Sequence, residues 1–204
     1  MKRTALTAAA LALATPALAH HPLGGETPAT LVHGFLSGIG HPMLGLDHLA
    51  FLVAAGIAGA MMSRVWAAAG LFVAATLIGT LAAFSGLAVP GVEPAVALSV
   101  LVMGVAAAAM RLTPALALPG LAAAGLFHGL AYGGAIVGAE ATPLLAYLAG
   151  LAIWQVAIAA ASGLLAARAI RAGDALAPRL AAALVAGVGV TFLFELAEGA
   201  LLAA

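Results

Sequence analysis

Residues 41–48 read His-Pro-Met-Leu-Gly-Leu-Asp-His and place three side chains able to bind a metal ion, His41, Asp47 and His48, in one short stretch. The stretch opens an apolar segment long enough to cross a lipid bilayer. Ionisable groups inside a bilayer cost about 2.5–3.5 kcal/mol each on insertion scales, so they are typical of functional sites. Imidazole and carboxylate ligands without thiolates suit borderline divalent ions such as Ni²⁺, Co²⁺ or Zn²⁺. The pattern therefore indicates ion handling rather than packing.

The spacing of His41 and His48 limits how the two imidazoles can cooperate. Seven residues place them on one helix face but about 10.5 Å apart along an ideal axis, which is too far for one ion. Pro42 is well placed to start a helix, and Gly45 is able to distort one. Either the segment bends so that both imidazoles reach one ion, or they form consecutive stations. Asp47 and His48 diverge by about 100°, so one is expected to bind the ion while the other orients a ligand on a neighbouring helix.

Four further ionisable residues fall in or beside later apolar segments on the same predicted side of the membrane: His128, Glu93, Glu195 and Glu198. His128 is either a ligand or relay, or a neutral core histidine bonded to a carbonyl. Glu195 and Glu198 share a helix face and either line the pathway or extend to the outer headgroups. Glu93 by itself suits an interfacial cap, and His41 has the alternative of capping a helix. Together with residues 41–48, they supply what a divalent-cation entry site needs.

Composition defines the class of protein. The chain has 204 residues, of which 65% are hydrophobic and 7% charged, whereas soluble domains have about 25% charged residues. An integral membrane protein is therefore predicted. The absence of cysteine excludes thiolate metal sites, and a net charge of zero without a basic stripe gives no sign of nucleic-acid binding. The aromatic residues Tyr132, Tyr147, Trp66 and Trp154 suit interface or packing roles and are assigned no chemistry.

Residues 1–19 have the features of a cleavable signal peptide: a basic start, an apolar stretch and Ala-Leu-Ala at 17–19. An uncleaved signal anchor is the alternative. Residues 20–204 then form one all-α domain, a six-helix transmembrane bundle. The six predicted spans lie near 43–62, 65–87, 94–112, 115–137, 142–167 and 179–203. Residues 30–40 are apolar but short and glycine-rich, which favours an interfacial or re-entrant piece over a seventh span.

Charge distribution predicts orientation. With the amino terminus outside the cytoplasm, every arginine after the signal peptide falls in a cytoplasmic loop, as the positive-inside rule requires. These arginines are Arg64, Arg111, Arg168, Arg171 and Arg179. Both termini of the mature chain are then outside the cytoplasm, in a bacterial inner membrane. The small-residue pairs Gly34/Gly38 and Gly129/Gly133 predict close helix contacts, and homo-oligomerisation is left open.

At His41-Pro42, Asp47-His48 and Phe127-His128-Gly129 the chain resembles the HupE/UreJ family of hydrogenase- and urease-associated nickel permeases. The His-Pro-Leu-Gly-Gly sequence at 21–25, the signal peptide and the six spans fit the resemblance. It implies nickel or cobalt uptake, with metal ligands at His41, Asp47, His48 and His128 and an acidic residue at Glu93. Many members carry a second His or a Glu where this chain has residues 132–135, Tyr-Gly-Gly-Ala. Glu140 is the first acid after that stretch.

The expected function is secondary or facilitated uptake of Ni²⁺ or Co²⁺ across the inner membrane, without enzymatic activity and with the ion as substrate rather than resident cofactor. No Gly-x4-Gly-Lys-Ser/Thr loop for ATP binding is present. The lipid bilayer and the ion are the expected partners. One alternative is a membrane enzyme that activates water on a metal, although no His-Glu-x-x-His motif occurs. Another is an electron carrier with haem between His48 and His128.

Overall fold

In the computed structural model, residues 26–202 are described, and their regular elements are seven α-helices without a strand. The predicted signal peptide, the histidines at 20 and 21 and the last two residues lie outside the described part of the chain. The helices are α1 (Leu31–Leu44), α2 (Leu46–Met61), α3 (Val65–Phe84), α4 (Val92–Ala108), α5 (Pro114–Gly133), α6 (Ala141–Arg171) and α7 (Leu176–Leu202). The all-helical class predicted from the sequence is confirmed for this range.

Four of these helices, α3, α5, α6 and α7, are long and apolar enough to cross a membrane. The α1–α2 pair meets the same requirement when it is taken together, although the two helices bend by 79°. With 17 residues, α4 is apolar but shorter than the other candidates. Four to five spans follow from length and composition in the described range, so the count of six stays a prediction.

The bend between α1 and α2 occurs at one residue, Gly45, which ends one helix and begins the next. Its φ and ψ of −77° and 100° are extended, while its N–H still donates to the His41 carbonyl. A Cβ at this position would come within 2.7 Å of the His48 imidazole, so the close approach requires glycine. The predicted distortion at Gly45 is confirmed. The predicted helix start at Pro42 is wrong, because Pro42 lies in the last turn of α1, where its missing N–H precedes the break.

The bent pair α1–α2 packs along the side of the long helix α6. Gly34 lies against Pro143, Gly38 against Tyr147, and further along Gly56 lies against Ala159. Since both sets of numbers increase together, α1 and α2 run successively along α6 in the same direction. The helix at residues 31–44, which leads directly into the predicted first span at 43–62, covers the stretch predicted as an interfacial or re-entrant piece.

Close backbone approach also joins the other helices. Gly129 of α5 packs against the Thr76 carbonyl and Gly79 of α3, and Gly133 packs against Ala83. The remaining strong pairing is that of α4 with α7. Because lipid is as apolar as the side chains, small residues that let helices approach supply much of the packing energy. The two predicted small-residue pairs therefore do form helix contacts.

We expect Gly38→Ala to destabilise the protein, because the added methyl group would overlap the Tyr147 carbonyl of α6. Overpacking of this kind costs about 1–3 kcal/mol. Gly187→Ala is the matched control, since a Cβ on this exposed glycine of α7 meets nothing within 4 Å. Thermal unfolding in detergent should show a lower Tm for Gly38→Ala, and an equal or higher Tm for Gly187→Ala. Equal Tm values for the two variants would contradict the close contact.

Candidate functional site

Three imidazoles meet at the break between α1 and α2. His41 comes from the last turn of α1 and His48 from the first turn of α2. His128 comes from the second-last turn of α5. The ring centroids are 5.7 Å apart for His41 and His48 and 4.9 Å apart for His48 and His128. All three side chains are buried, with 4% or less of their surface exposed. The break therefore brings His41 much closer to His48 than a continuous helix would allow.

His48 and His128 are joined directly, with 2.8 Å between their Nδ1 atoms. His128 also contacts the Ser99 hydroxyl of α4 through Nε2, at 3.1 Å. The aromatic rings of Phe51 and Phe72 enclose the imidazole of His128. The neutral core histidine bonded to a carbonyl, considered from the sequence, is therefore not what the structure has. The partners of His128 are a hydroxyl and a second imidazole.

The hydrogen bonds determine which nitrogens carry a proton. The Ser99 hydroxyl donates its one proton to the Val96 carbonyl at 2.7 Å, so its oxygen accepts from Nε2–H of His128. Nδ1 of neutral His128 is then an acceptor and receives the Nδ1–H of His48. This tautomer leaves Nε2 of His48 with its lone pair in the ring plane, the form in which imidazole binds a metal ion.

A hydroxyl group also determines which nitrogen of His41 carries the proton. The Tyr147 hydroxyl donates to the Tyr132 carbonyl at 3.0 Å, so its oxygen accepts from Nδ1–H of His41, also at 3.0 Å. Nε2 of His41 therefore carries the lone pair. Two fixed hydroxyl groups, on Ser99 and Tyr147, thus set the tautomers of the three imidazoles. In metal sites, too, a histidine is oriented by a hydrogen bond from the ring nitrogen that does not bind the metal ion.

Asp47 provides the negative charge nearest to the cluster. Its carboxylate is 8% exposed and accepts the backbone N–H of His48 at 2.8 Å, within the first turn of α2. A carboxylate in this position is stabilised by the partial positive charge of the helix amino terminus. This contact lies within α2 itself, so the predicted division of roles between Asp47 and His48 stays a prediction.

Two polar residues that sequence reasoning had not assigned to chemistry complete the surroundings. Tyr132 is fully buried, and its ring lies 4.3 Å from the His48 ring and 4.9 Å from the His41 ring. Gln155 of α6 is also fully buried. Its amide faces the Tyr132 hydroxyl, but neither group makes a hydrogen bond of normal distance and angle in the described part of the protein. The sequence could have pointed to Gln155, because it is the only carboxamide side chain in the chain and lies within an apolar segment.

The three predicted glutamates do not join the histidines. Glu93 in the first turn of α4, and Glu195 and Glu198 on α7, have exposed side chains. Within residues 26–202, no group of three or more His, Asp or Glu side chains converges as a metal-holding set. Hydrogen bonds to other side chains occupy at least one nitrogen of each imidazole.

The contact between His48 and His128 bears on the haem alternative. An iron with both histidines as axial ligands would have to lie between the two nitrogens, with the macrocycle between the rings. A separation of 2.8 Å between the Nδ1 atoms leaves no space for such a group. The geometry therefore argues against haem between these residues.

Comparison with known proteins identifies relatives of the chain. A family model described as "HupE / UreJ protein" matches residues 8–192, which is most of the chain. Among curated proteins, the chain is 32% identical over 136 residues to "Protein HupE" of Rhizobium leguminosarum bv. viciae. That match covers 65% of this chain and 69% of the relative. No solved structure matches the chain at a significant level. The chain, with its histidine motifs at the helix break and in α5, belongs to the HupE/UreJ family.

Proposed function

We propose that the protein carries Ni²⁺ or Co²⁺ across the bacterial inner membrane as a secondary or facilitated uptake system. One observation supports this most strongly: buried imidazoles from three helices meet where an apolar helix is interrupted. Broken helices inside transport proteins typically place a binding site in the membrane interior. An imidazole cluster with one carboxylate suits borderline divalent ions. Membership of the HupE/UreJ family supports the same choice of ion.

His41 and His48 are the proposed first ligands through their Nε2 atoms. An ion about 2.0–2.1 Å from a ring nitrogen lies about 3.2 Å from the ring centre, so two rings on one ion have centroids about 4.5–6 Å apart. The separation of 5.7 Å between these rings falls in that range. Asp47 contributes its charge, and His128 receives the proton on the other nitrogen of His48. His128 thereby acts as the relay or orienting group, with direct binding as its other predicted role.

Entry from the outer side is proposed through a cavity of about 270 Å³ lined by residues 27–29 and 138–140. The cavity lies where α6 begins, and the exposed Glu140 is the residue before its first turn. A carboxylate there would raise the local concentration of a cation. Glu93, Glu195 and Glu198 stay predictions as further acidic groups on the outer side, because their exposed side chains suit attraction of ions better than a buried ligand set.

The membrane potential is the proposed driving force. A charge that moves across 100 mV gains about 2.3 kcal/mol, so a dication moving inward gains about 4.6 kcal/mol. At about 1.4 kcal/mol per tenfold change, this gain sustains roughly a thousandfold concentration gradient. Uptake then needs no ATP hydrolysis by this chain, in agreement with the lack of a phosphate-binding loop in its sequence.

We expect His41→Ala, Asp47→Ala, His48→Ala and His128→Ala each to lower uptake of radioactive Ni²⁺ at least tenfold, since removing a ligand or its oriented partner typically costs 10–100-fold. The assay uses cells or vesicles with an inside-negative potential and no added ATP. His33→Ala is the matched control, because this histidine on the same helix α1 is exposed. Uptake by His48→Ala at the level of His33→Ala would contradict the proposed site.

A separate prediction concerns the two hydroxyl groups that fix the tautomers. Ser99→Ala and Tyr147→Phe should each lower the apparent affinity for Ni²⁺ about tenfold, because the imidazoles lose their orienting partners. Ser99→Thr keeps the hydroxyl and should restore most of the affinity. Ser162→Ala is the control, since the Ser162 hydroxyl bonds only to backbone carbonyls of its own helix α6. Equal affinity in Ser99→Ala and Ser162→Ala would show that Ser99 does not orient His128.

Orientation is tested with reporter fusions. Fusions placed after Arg64, Arg111 and Asp174 should report the cytoplasm, since these residues follow α2, α4 and α6. Fusions after Glu93 and Glu140 should report the opposite side, and so should a fusion at the carboxyl terminus. A cytoplasmic signal from the carboxyl terminus would contradict the six-span arrangement, in which α1 and α2 form one crossing and α4 another.

A further inference from the structure

Gln155 lies in the middle of α6, at the fifteenth of its 31 positions. It comes eight residues after Tyr147, which holds His41, and is therefore about 12 Å further along the helix towards Arg168 and Arg171. The side chain is fully buried. In the predicted orientation, Gln155 lies on the cytoplasmic side of His41.

Neither the amide nitrogen nor the carbonyl oxygen of Gln155 has a hydrogen-bond partner among the described protein groups. Leaving a buried polar group without a partner costs about 1–3 kcal/mol. An apolar residue at this position would avoid that cost, so the amide does not serve packing. Buried polar groups without a protein partner require another explanation, such as a bound ion or water.

The Tyr132 hydroxyl faces the same place. It too is buried without a hydrogen-bond partner, and the side chain next to it is Gln155. Helical side chains point back towards the amino terminus of their helix. On α5 that direction leads from Tyr132 towards the depth of His128, which precedes it by one turn, and on α6 it leads from Gln155 towards the cluster. The two unsatisfied groups therefore meet on the predicted cytoplasmic side of His41, at the depth of His128.

Other buried hydroxyl groups nearby behave differently. Thr76 and Thr80 are also fully buried, but each donates to a carbonyl four residues earlier in α3. Those hydroxyls have hydrogen-bond partners within their own helix and require no bound ion or water. In the described part of the chain, unpartnered buried side-chain polar atoms occur on Tyr132, Gln155 and Trp154, and the first two of these side chains are neighbours.

We propose that the Tyr132 hydroxyl and the Gln155 carbonyl oxygen form a second, inner site that receives the partly hydrated dication after His41 and His48 release it. Neutral oxygen ligands bind Ni²⁺ or Co²⁺ more weakly than imidazoles, which suits a station from which the ion must leave. The inference rests on the proposed uptake function and adds a residue, Gln155, on which the rate of inward release depends.

The test compares Gln155→Met, Gln155→Glu and Tyr132→Phe in proteoliposomes with an inside-negative potential, with Ni²⁺ and Co²⁺ as probes. Trp154→Phe is the matched control, because it removes a buried, unpartnered N–H from the neighbouring position of α6, which points about 100° away. Gln155→Met keeps the side-chain length but removes both polar atoms. Gln155→Glu keeps an oxygen ligand, and Tyr132→Phe keeps the ring beside His48.

We expect Gln155→Met to lower the uptake rate at least tenfold and Tyr132→Phe at least threefold, while Trp154→Phe stays within threefold of the unmodified protein. Gln155→Glu should be faster than Gln155→Met, because it retains an oxygen ligand. Co²⁺ affinity of the purified Gln155→Met protein, read from its visible absorption, should change less than threefold, because the histidine cluster is intact. Its Tm should be equal or higher, since an unsatisfied amide has been removed.

Uptake by Gln155→Met within twofold of normal would overturn the inner site and leave the proposed function standing. A lower Tm of Gln155→Met would also overturn the inner site, because Gln155 would then stabilise the fold. A loss of Co²⁺ affinity as large as that of His48→Ala would overturn it as well, because Gln155 would then support the histidine cluster. If Gln155→Met does not reach the membrane, Tyr132→Phe decides by the same criteria. Absence of Ni²⁺ and Co²⁺ uptake by the unmodified protein would instead remove the proposed function, and the inner site with it.

Discussion

A helix that breaks inside an apolar bundle leaves backbone carbonyls and amides that lipid cannot solvate, and every feature around Gly45 meets that constraint. The Gly45 N–H still bonds to the His41 carbonyl, and the Asp47 carboxylate accepts the N–H of His48. Irregular backbone at membrane depth is tolerated where protein surrounds it, and here α5 and α6 provide the cover. The broken segment is therefore stable only as part of the bundle, and its free helix ends face one another at the cluster.

The imidazoles introduce a second requirement, because a buried histidine with an unsatisfied nitrogen would be costly. Serine and tyrosine hydroxyls meet it without adding charge. Each of them donates to a fixed backbone carbonyl and so offers only an acceptor to its histidine. The result is a network in which Nδ1 of His41 and of His48 carries the proton and Nε2 carries the lone pair. Stability of the apolar interior and readiness to bind a cation are achieved by the same hydrogen bonds.

Close packing along α6 connects these local features with the rest of the fold. Glycines at 34, 38 and 56 let both halves of the broken segment lie against one long helix, whose other buried positions carry Tyr147 and Gln155. A larger residue at these glycines would move α1 or α2 away from Tyr147 and hence move His41 from its partner. The helix-packing glycines and the polar site are therefore parts of one arrangement, although most of the glycines contact no imidazole.

The sequence by itself determined the class of protein and the chemistry of the site. Composition required an all-helical membrane protein, and the motifs at 41–48 and 127–129 identified three imidazoles and a carboxylate that the structure does bring to one place, or hold beside it. Spacing even showed that His41 and His48 can cooperate only if the helix bends, and that Gly45 is a residue able to bend it. These conclusions depend on local geometry and composition, which a linear sequence contains.

Only the tertiary structure decided which side chains complete the site. Tyr147 lies 106 positions from His41, and Ser99 lies 29 positions from His128, so their pairing depends on how helices pack rather than on any periodicity. Pro42 was misplaced at a helix start because its ring tolerates both a first turn and the last turn before a break. Glu195 and Glu198 look like ligands when only their depth along a span is considered, and the family resemblance implies an acidic group at Glu93, yet all three side chains are exposed. The direction in which a helix face points is set by its neighbours, and no single span contains that information.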